Sequence, residues 1–310
     1  MRIIVIIDGH IDVIFALQLQ RREFSTRSDI GHVDLPRMRE GNVSAALFTV
    51  YPASSNFSIS TGVDNWFKLV ENPENSLMQI RNLDDFEKAR QSDKIGAILH
   101  FEGAGGLDSE FNLLRNYHRL GLRSMGLSWS NMNQFATGVG TIEERGLTAE
   151  GKALVLEMQS LGILVDISHL NEKSFWDVNE ITNKPIIASH SNAYSICNHV
   201  RNLKDDQIQA IKDTNGTIGI NLCTSFLDPQ KKEDQITFEI IKNHIDHIVE
   251  KTGINHISLG SDYDGATVPS ILKDISYYPK LIEFLRNTYS KSDIEKITYQ
   301  NFLRVFKATW

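Results

Sequence analysis

The sequence reads ILVDISHLNEKSFWDVNEITNKPIIASH between residues 163 and 190, and this stretch determines our prediction of the fold. Two short apolar runs, Ile163–Ile167 and Pro185–Ser189, predict β-strands. Between them, Asn171–Asn179 has the periodicity of a helix. A strand, a helix and a second strand in this order are typical of a parallel sheet.

The same alternation recurs along the whole chain. The predicted strands are Ile3–Ile7, Ser44–Val50, Ala97–Phe101, Arg123–Leu127, Ile163–Ile167, Pro185–Ser189, Thr217–Asn221 and His256–Gly260. The predicted helices are Asp34–Glu40, Asp84–Gln91, Glu110–Leu120, Thr148–Leu161, Asn171–Asn179, Lys204–Asp213, Thr237–Thr252 and Ser292–Lys307. Because the strands are apolar on both faces and alternate with helices, the sequence predicts an α/β fold, a (β/α)8 TIM-type barrel, rather than an open sheet.

The organisation of the chain indicates a single domain over residues 1–310, since no repeat, low-complexity tract or Pro/Gly/Ser-rich linker marks a boundary. The longest stretches predicted to be irregular are Tyr51–Asn82 and Asn131–Gly146. Both follow predicted strands, where the active-site loops of a barrel lie.

Composition restricts the class of partner and the location. A net charge of −7 and a pI near 5.8 disfavour nucleic acid and anionic membranes as partners. Ile3–Ile7 is too short for a signal peptide, and no apolar run approaches the length of a membrane span. The two cysteines, Cys197 and Cys223, are too few for a disulfide framework, and we expect both to be small buried apolar residues. The sequence predicts a soluble cytoplasmic protein and leaves a homodimer open.

Polar residues that follow the predicted strands are the candidates for chemistry, because active sites of such barrels lie at the C-terminal ends of the strands. Potential metal ligands occur there in five of the predicted strands: His10, Asp12, Glu102, His169, His190 and Asp262. Two divalent ions held by histidines and carboxylates can activate water and polarise an amide carbonyl. The pattern therefore predicts a dinuclear metallohydrolase site.

Other polar residues have simpler interpretations. Asp34 precedes Pro36 and is expected to cap a helix rather than to bind metal. His244 and His247 predict a solvated helix face. The sequence leaves the roles of two further carboxylates open. Asp166 either orients a ligand or makes a structural hydrogen bond, and Asp264 either contacts substrate or forms a turn.

Several motifs in order along the chain resemble the renal or membrane dipeptidases, a metallopeptidase branch of the amidohydrolase-like barrels. The matching motifs are Asp8-Gly9-His10-Ile11-Asp12, His32-Val33-Asp34-Leu35-Pro36-Arg37, Glu102-Gly103, Gly146-Leu147-Thr148, Asp166-Ile167-Ser168-His169, Ser189-His190-Ser191-Asn192-Ala193-Tyr194, Arg201-Asn202, Gly260-Ser261-Asp262-Tyr263-Asp264-Gly265 and Asn301-Phe302-Leu303-Arg304-Val305-Phe306. They extend over the full length of the chain.

The resemblance implies a role for each site residue. His10 and Asp12 would hold one Zn²⁺ and His169 and His190 the other, with Glu102 as a catalytic bridge between them. Cobalt or manganese could occupy the same ligands. Asp262 would contact the substrate side of the centre and transfer protons as the catalytic acid and base, and Arg201 would bind the free carboxylate of a dipeptide.

The chain departs from the family pattern at Trp129. Mammalian relatives have a substrate-contacting histidine at this point, whereas this chain reads Leu127-Ser128-Trp129-Ser130-Asn131. We expect Trp129 to line the substrate site, with oxyanion stabilisation left to the metals or to a neighbour such as Asn131.

The predicted function is a zinc dipeptidase that cleaves dipeptides with free termini, of L,D as well as L,L configuration. One alternative is a metal-dependent hydrolase of other amides, such as β-lactams or N-acyl amino acids. A third is a non-catalytic barrel that binds peptides. The presence of Asp262 argues against the third, because a binding module needs no general base.

Overall fold

The computed structural model describes residues 5–310, in which eight of nine parallel strands close into a barrel. The strands in this part of the chain are β1 (Ile6–Ile11), β2 (Val43–Val50), β3 (Leu77–Gln79), β4 (Ile95–Glu102), β5 (Leu122–Gly126), β6 (Leu164–Asp166), β7 (Ile186–Ala188), β8 (Thr217–Ile220) and β9 (Ile257–Leu259). Strand β2 pairs with β1 and β4, and β9 pairs with β8 and β1, which closes the ring. The predicted (β/α)8 barrel is confirmed.

The short strand β3 lies outside this ring and was not predicted. It pairs with the start of β4, where Leu77 is opposite Ile95. Strand β5 pairs with β4 only from Leu99 onward. Strand β3 therefore covers the edge of β4 that β5 does not reach.

Helices surround the barrel and also lie at its two ends. Among the described residues they are α1 (Val13–Gln20), α2 (Leu35–Glu40), α3 (Asn56–Glu71), α4 (Leu83–Gln91), α5 (Asn112–Leu120), α6 (Ala149–Leu161), α7 (Glu172–Ile181), α8 (Asp205–Asp213), α9 (Thr224–Leu227), α10 (Phe238–Thr252), α11 (Tyr278–Leu285), α12 (Lys291–Glu295) and α13 (Asn301–Thr309). The predicted C-terminal helix is α12 and α13 joined by a π-helical turn, Lys296–Gln300. Helices α1, α3, α9 and α11 were not predicted.

The prediction of an irregular stretch at Tyr51–Asn82 is wrong, because it contains α3. The Ser55 side chain accepts a hydrogen bond from the Ser58 amide and caps this helix. Ile59, Val63 and Trp66 are buried at helical spacing on one face. In contrast, Asn131–Gly146 contains no helix and only an isolated β-bridge, as predicted.

The first strand extends further than the predicted Ile3–Ile7, whose beginning lies outside the described residues. It continues to Ile11 through the buried Asp8. The Asp8 carboxylate accepts hydrogen bonds from the amides of His10 and Ser261 and from the hydroxyl of Tyr278. Because these bonds compensate for its burial, a carboxylate is tolerated inside the strand.

One end of the barrel is closed by the C-terminal helix. Side chains from the strands, including Ile7, Leu47 and Ile187, pack against Phe302 and Phe306 of α13. Since Ile7 lies near the start of β1, this apolar cluster covers the N-terminal ends of the strands. The C-terminal ends are left to form a cleft.

Within residues 5–310, no helix combines the length and the apolar composition that crossing a bilayer requires.

Candidate metal centre and active site

The ends of β1 and β4 bring His10, Asp12 and Glu102 together. His10 Nε2 lies 3.3 Å from Asp12 Oδ2 and 3.6 Å from Glu102 Oε1. All three side chains are buried. Each offers one ligand atom to a common group of the size that a metal ion requires.

His169 and His190, which follow β6 and β7, approach the same carboxylate from the other side. Their Nε2 atoms lie 2.9 Å and 3.6 Å from Glu102 Oε1. The two Nε2 atoms are 2.9 Å from each other. Two neutral imidazoles whose Nε2 lone pairs converge in this way repel each other unless a cation lies between them, so the arrangement suits a metal.

Serine hydroxyls orient both of these imidazoles. Ser130 Oγ lies 3.1 Å from His169 Nδ1, and Ser189 Oγ lies 2.7 Å from His190 Nδ1. Ser189 Oγ also donates to Asp166 Oδ2 at 2.5 Å. Because the Ser189 hydroxyl donates to Asp166, it accepts from His190 Nδ1, and both serine contacts hold the rings with Nε2 directed toward Glu102. Of the two interpretations of Asp166, the orienting one agrees with this chain of contacts.

Burial and charge set the protonation states of the cluster. Burial opposes a proton on His10, but Asp12 and Glu102 outweigh it and raise the pKa of His10 to about 10. Burial raises the pKa of Glu102 well above its usual value and lowers the pKa of His169 and His190 well below theirs. The last two imidazoles are therefore neutral, which is the form that binds metal.

Asp262 lies at the end of β9 beside this cluster. Its backbone has φ +64°, and its amide donates to His10 O at 3.1 Å. Asn221 Nδ2 donates to Asp262 Oδ2 at 3.0 Å. Burial raises the pKa of Asp262 to about 6. A carboxyl group with a pKa near neutrality can both accept and return a proton.

Arg201 is buried beside the centre, on the segment that follows β7. It donates to the carbonyl oxygens of Ser168 and, at 3.2 Å, of His190. Its guanidinium lies 5.4 Å from the centre of the Phe226 ring. Among the described residues its buried Nε has no hydrogen-bond partner, and the side chain borders the cleft described below.

A cleft of about 620 Å³ opens above these groups. Residues of the predicted site that line it are Asp12, Glu102, Trp129, His169, Arg201 and Asp262. Ser130 also lines the cleft, whereas Asn131 is exposed on the surface. Cys223 differs from the expectation, because it is only half-buried and faces the cleft.

Sequence reasoning did not identify several residues of this site. Ser130 and Ser189 lie at the ends of β5 and β7, and Tyr51 directly follows β2. A search of strand ends that included hydroxyl and aromatic residues, and not only metal ligands, would have found them. Their contacts with ligand residues depend on tertiary structure.

The structure also tests the simpler interpretations. Asp34 caps α2, as predicted, by accepting a hydrogen bond from the Arg37 amide at 2.9 Å. The prediction of a solvated face is wrong for His244, which is fully buried. It shares the inner face of α10 with Ile241 and Ile248, and this apolar spacing was visible in the sequence. Asp264 is buried in an ion pair with Arg22.

A parallel barrel with a buried histidine and carboxylate cluster at the C-terminal ends of its strands defines a metal-dependent hydrolase. The family comparison agrees with this class. The model of the membrane dipeptidase family, peptidase family M19, matches residues 1–309. The chain belongs to this family, and it is a hydrolase of peptide bonds of the metallo-dipeptidase class.

Individual relatives support the assignment. An uncharacterised dipeptidase of Schizosaccharomyces pombe is 33% identical over 98% of this chain and 80% of its own length. A metallopeptidase of Rhodobacter sphaeroides, solved with a phosphinate mimic of L-Ala-D-Ala, is 29% identical with a TM-score of 0.92 and covers 99% of each chain. The dipeptidase AC of family M19 is also 29% identical, with a TM-score of 0.93 over 100% of this chain and 99% of its own.

Proposed function

We propose that this protein is a dinuclear zinc dipeptidase that hydrolyses dipeptides with free termini. The observation that carries the proposal is the convergence of histidine and carboxylate ligand atoms on Glu102, with Asp262 and Arg201 at the edge of the same cleft.

The donor set fits a pair of divalent ions. His10, Asp12 and Glu102 form one group of ligand atoms that lie within 4.8 Å of one another, and Glu102, His169 and His190 form another. Glu102 belongs to both, so it would bridge the ions. Imidazole and carboxylate ligands are typical of zinc, and cobalt or manganese could use the same donors.

Asp262 would act as the proton carrier of the reaction. When bound, the metal ions would supply an acidified water molecule and polarise the peptide carbonyl. Asp262 would accept the proton of the attacking water and return it to the departing amine. The hydrogen bond from Asn221 holds its carboxylate toward the cleft.

Arg201 would bind the α-carboxylate of the substrate. Its guanidinium is already positioned by the carbonyl oxygens of Ser168 and His190. A buried positive charge with an unsatisfied Nε donor favours an anionic ligand. Because the carboxylate must lie at a set distance from the cleaved bond, this contact would restrict the enzyme to short peptides.

We further propose that the enzyme accepts a D-residue at the C-terminal position. Support comes from the Rhodobacter sphaeroides relative, which binds a mimic of L-Ala-D-Ala and has nearly the same fold.

The decisive experiment measures free amino acids released from a pool of L,L and L,D dipeptides by mass spectrometry. Metal-loaded protein is compared with a chelated sample. Metal-dependent release is expected, and acetylation of the N-terminus should abolish it. Cleavage of acetylated substrates alone would instead indicate a hydrolase of other amides. If neither kind of substrate is cleaved, the result would favour a non-catalytic barrel that binds peptides.

Two variants test the assigned roles. Asp262→Asn should lower kcat by about 10²- to 10⁴-fold and keep its metal content. The matched control is Asp64→Asn, which changes an exposed carboxylate on α3. His10→Ala should reduce the metal content measured by elemental analysis. Unchanged hydrolysis by Asp262→Asn would contradict the proposed mechanism.

A further inference from the structure

Aromatic side chains form a continuous row along one side of the cleft. The ring of Phe15 lies 5.8 Å from that of Tyr51, and the Tyr51 ring lies 5.5 Å from that of Trp129. The Trp129 ring in turn lies 5.9 Å from His169. We call Phe15, Tyr51 and Trp129 the aromatic wall. It reaches from the rim of the cleft to the predicted metal centre.

The aromatic wall is accessible to a ligand. Phe15 is 38% exposed and Trp129 39% exposed, and Tyr51 is half-buried. All three rings line the cleft. Exposed aromatic surface in a concave site is costly in water and binds an apolar group favourably.

The opposite side of the cleft has a different chemistry. Helix α9 and the segments that follow β8 and β9 contribute the polar side chains of Thr224, Ser225, Lys231, Glu233 and Thr267 there, together with Phe226, Pro229 and Ala266. The lining is therefore aromatic on the side of β1, β2 and β5 and mixed, with mainly polar side chains, on the other. Among the described lining residues, Phe226 is a single aromatic ring beside Arg201, whereas the aromatic wall joins three rings in one continuous surface.

The order of strands places the aromatic wall across the barrel from Arg201. In the closed ring β1-β2-β4-β5-β6-β7-β8-β9, strand β2 is opposite β7. Tyr51 directly follows β2, and Arg201 belongs to the segment after β7. A dipeptide whose carboxylate is bound by Arg201 and whose peptide bond lies at the metal centre extends its N-terminal residue toward β2.

We propose that the aromatic wall is the subsite for the side chain of the N-terminal residue, and that the enzyme prefers dipeptides with a large apolar or aromatic residue there. This inference rests on the proposed function, since it uses Arg201 as the carboxylate site. Transfer of a phenyl or isobutyl side chain from water onto such a surface raises kcat/KM by about 10- to 100-fold over glycine.

The test uses two sets of L-dipeptides, X-Gly and Gly-X, in which X is Ala, Asp, Lys, Leu or Phe. The X-Gly set should show a preference for Leu and Phe of about 10-fold or more over Ala, Asp and Lys. The Gly-X set should show a weaker preference. The variant Phe15→Ala should lower kcat/KM for Phe-Gly by a larger factor than kcat/KM for Ala-Gly, which reduces the preference for Phe.

A matched control is Phe57→Ala, which removes an 82% exposed phenylalanine on α3 outside the cleft and should change neither rate. Phe15→Leu serves as the milder variant, and it should retain part of the preference. Equal cleavage of all X-Gly substrates, or a preference confined to Gly-X, would overturn the subsite while leaving the dipeptidase function intact. Cleavage of no dipeptide would overturn the proposed function and the subsite with it.

Discussion

Arg22 Nη2 lies 2.5 Å from Asp264 Oδ2, although these residues are 242 positions apart in the chain. Both side chains are buried. Arg22 also donates to the Val33 carbonyl, and Asp264 accepts from the His32 amide at 2.6 Å. The pair thus joins the segment before α2 to the loop that carries Asp262.

Removal of either partner of this pair should destabilise the protein strongly. Arg22→Met leaves an uncompensated buried carboxylate, so we expect the free energy of unfolding to fall by about 3–5 kcal/mol. The double variant Arg22→Met/Asp264→Asn should lose less than the sum of the single variants. Urea unfolding measures all three.

The control for this cycle is the exposed pair of Lys68 and Asp64 on α3. Lys68→Met should change stability by no more than about 1 kcal/mol. Additive losses in the Arg22 and Asp264 cycle would show that the buried pair does not contribute as a unit.

Ser189 should control metal affinity without being a ligand. Its hydroxyl lies between Asp166 and His190 Nδ1, at 2.5 Å and 2.7 Å. Ser189→Ala removes this link, and we expect affinity for zinc to fall by about 10- to 100-fold in competition with a chelator. Ser160→Ala is the control, because that hydroxyl only bonds the Glu157 carbonyl on the outer side of α6. Equal zinc affinity of both variants would argue against an orienting role.

The positions of the Asp12 and Asp262 carboxylates require a residue without a side chain at position 265, which is Gly265. A Cβ atom at this position would overlap Asp12 Oδ2 and lie 2.6 Å from Asp262 Oδ1. We expect Gly265→Ala to displace both side chains and to lower kcat by at least about 10-fold. At Gly126 the nearest atoms would be 3.8 Å away, so Gly126→Ala is the control that should stay active. Full activity of Gly265→Ala would mean that neither carboxylate needs its present position.

His244 should make stability depend on pH. Burial lowers its pKa to about 4, from about 6.5 when unfolded. Its Nδ1 accepts from the Ala193 amide at 3.2 Å, and Nε2 bonds Leu227 O at 3.1 Å, so protonation breaks a buried hydrogen bond. Between these pKa values the unfolded chain binds more protons. Stability is therefore lost as the pH falls through this range.

The size of this effect is measurable by urea unfolding at about pH 7 and pH 5. The His244 contribution should lower the free energy of unfolding by about 2 kcal/mol at the lower pH. His244→Asn should lack this part of the pH dependence. Identical pH dependence in the two proteins would show that His244 titrates normally in the folded state.

Prediction from sequence succeeded where a pattern has a local physical cause. Strands such as β2 and β7 are runs of apolar residues, and Asp34 caps α2 through atoms three residues away. The same search of strand ends found His10, Glu102 and Asp262, because a closed parallel barrel brings all strand ends to one face.

Prediction from sequence failed where local signals were weak or ambiguous. The polar sequence of α3 hid a buried stripe that includes Trp66, and the short strand β3 exists only because it pairs with β4. His244 was assigned to solvent because charged neighbours on α10 outweighed the apolar spacing of Ile241 and Ile248. In each case packing overrides local propensity.

The sequence by itself determined the barrel, the family resemblance and the set of candidate ligand residues, because each depends on residue type and on periodicity along the chain. Only the tertiary structure decided that the Nε2 atoms of His169 and His190 meet at Glu102, that Ser189 links Asp166 to His190, and that Arg22 reaches Asp264. These contacts join residues from different strands, and their distances follow from how the ring closes and packs rather than from any local pattern.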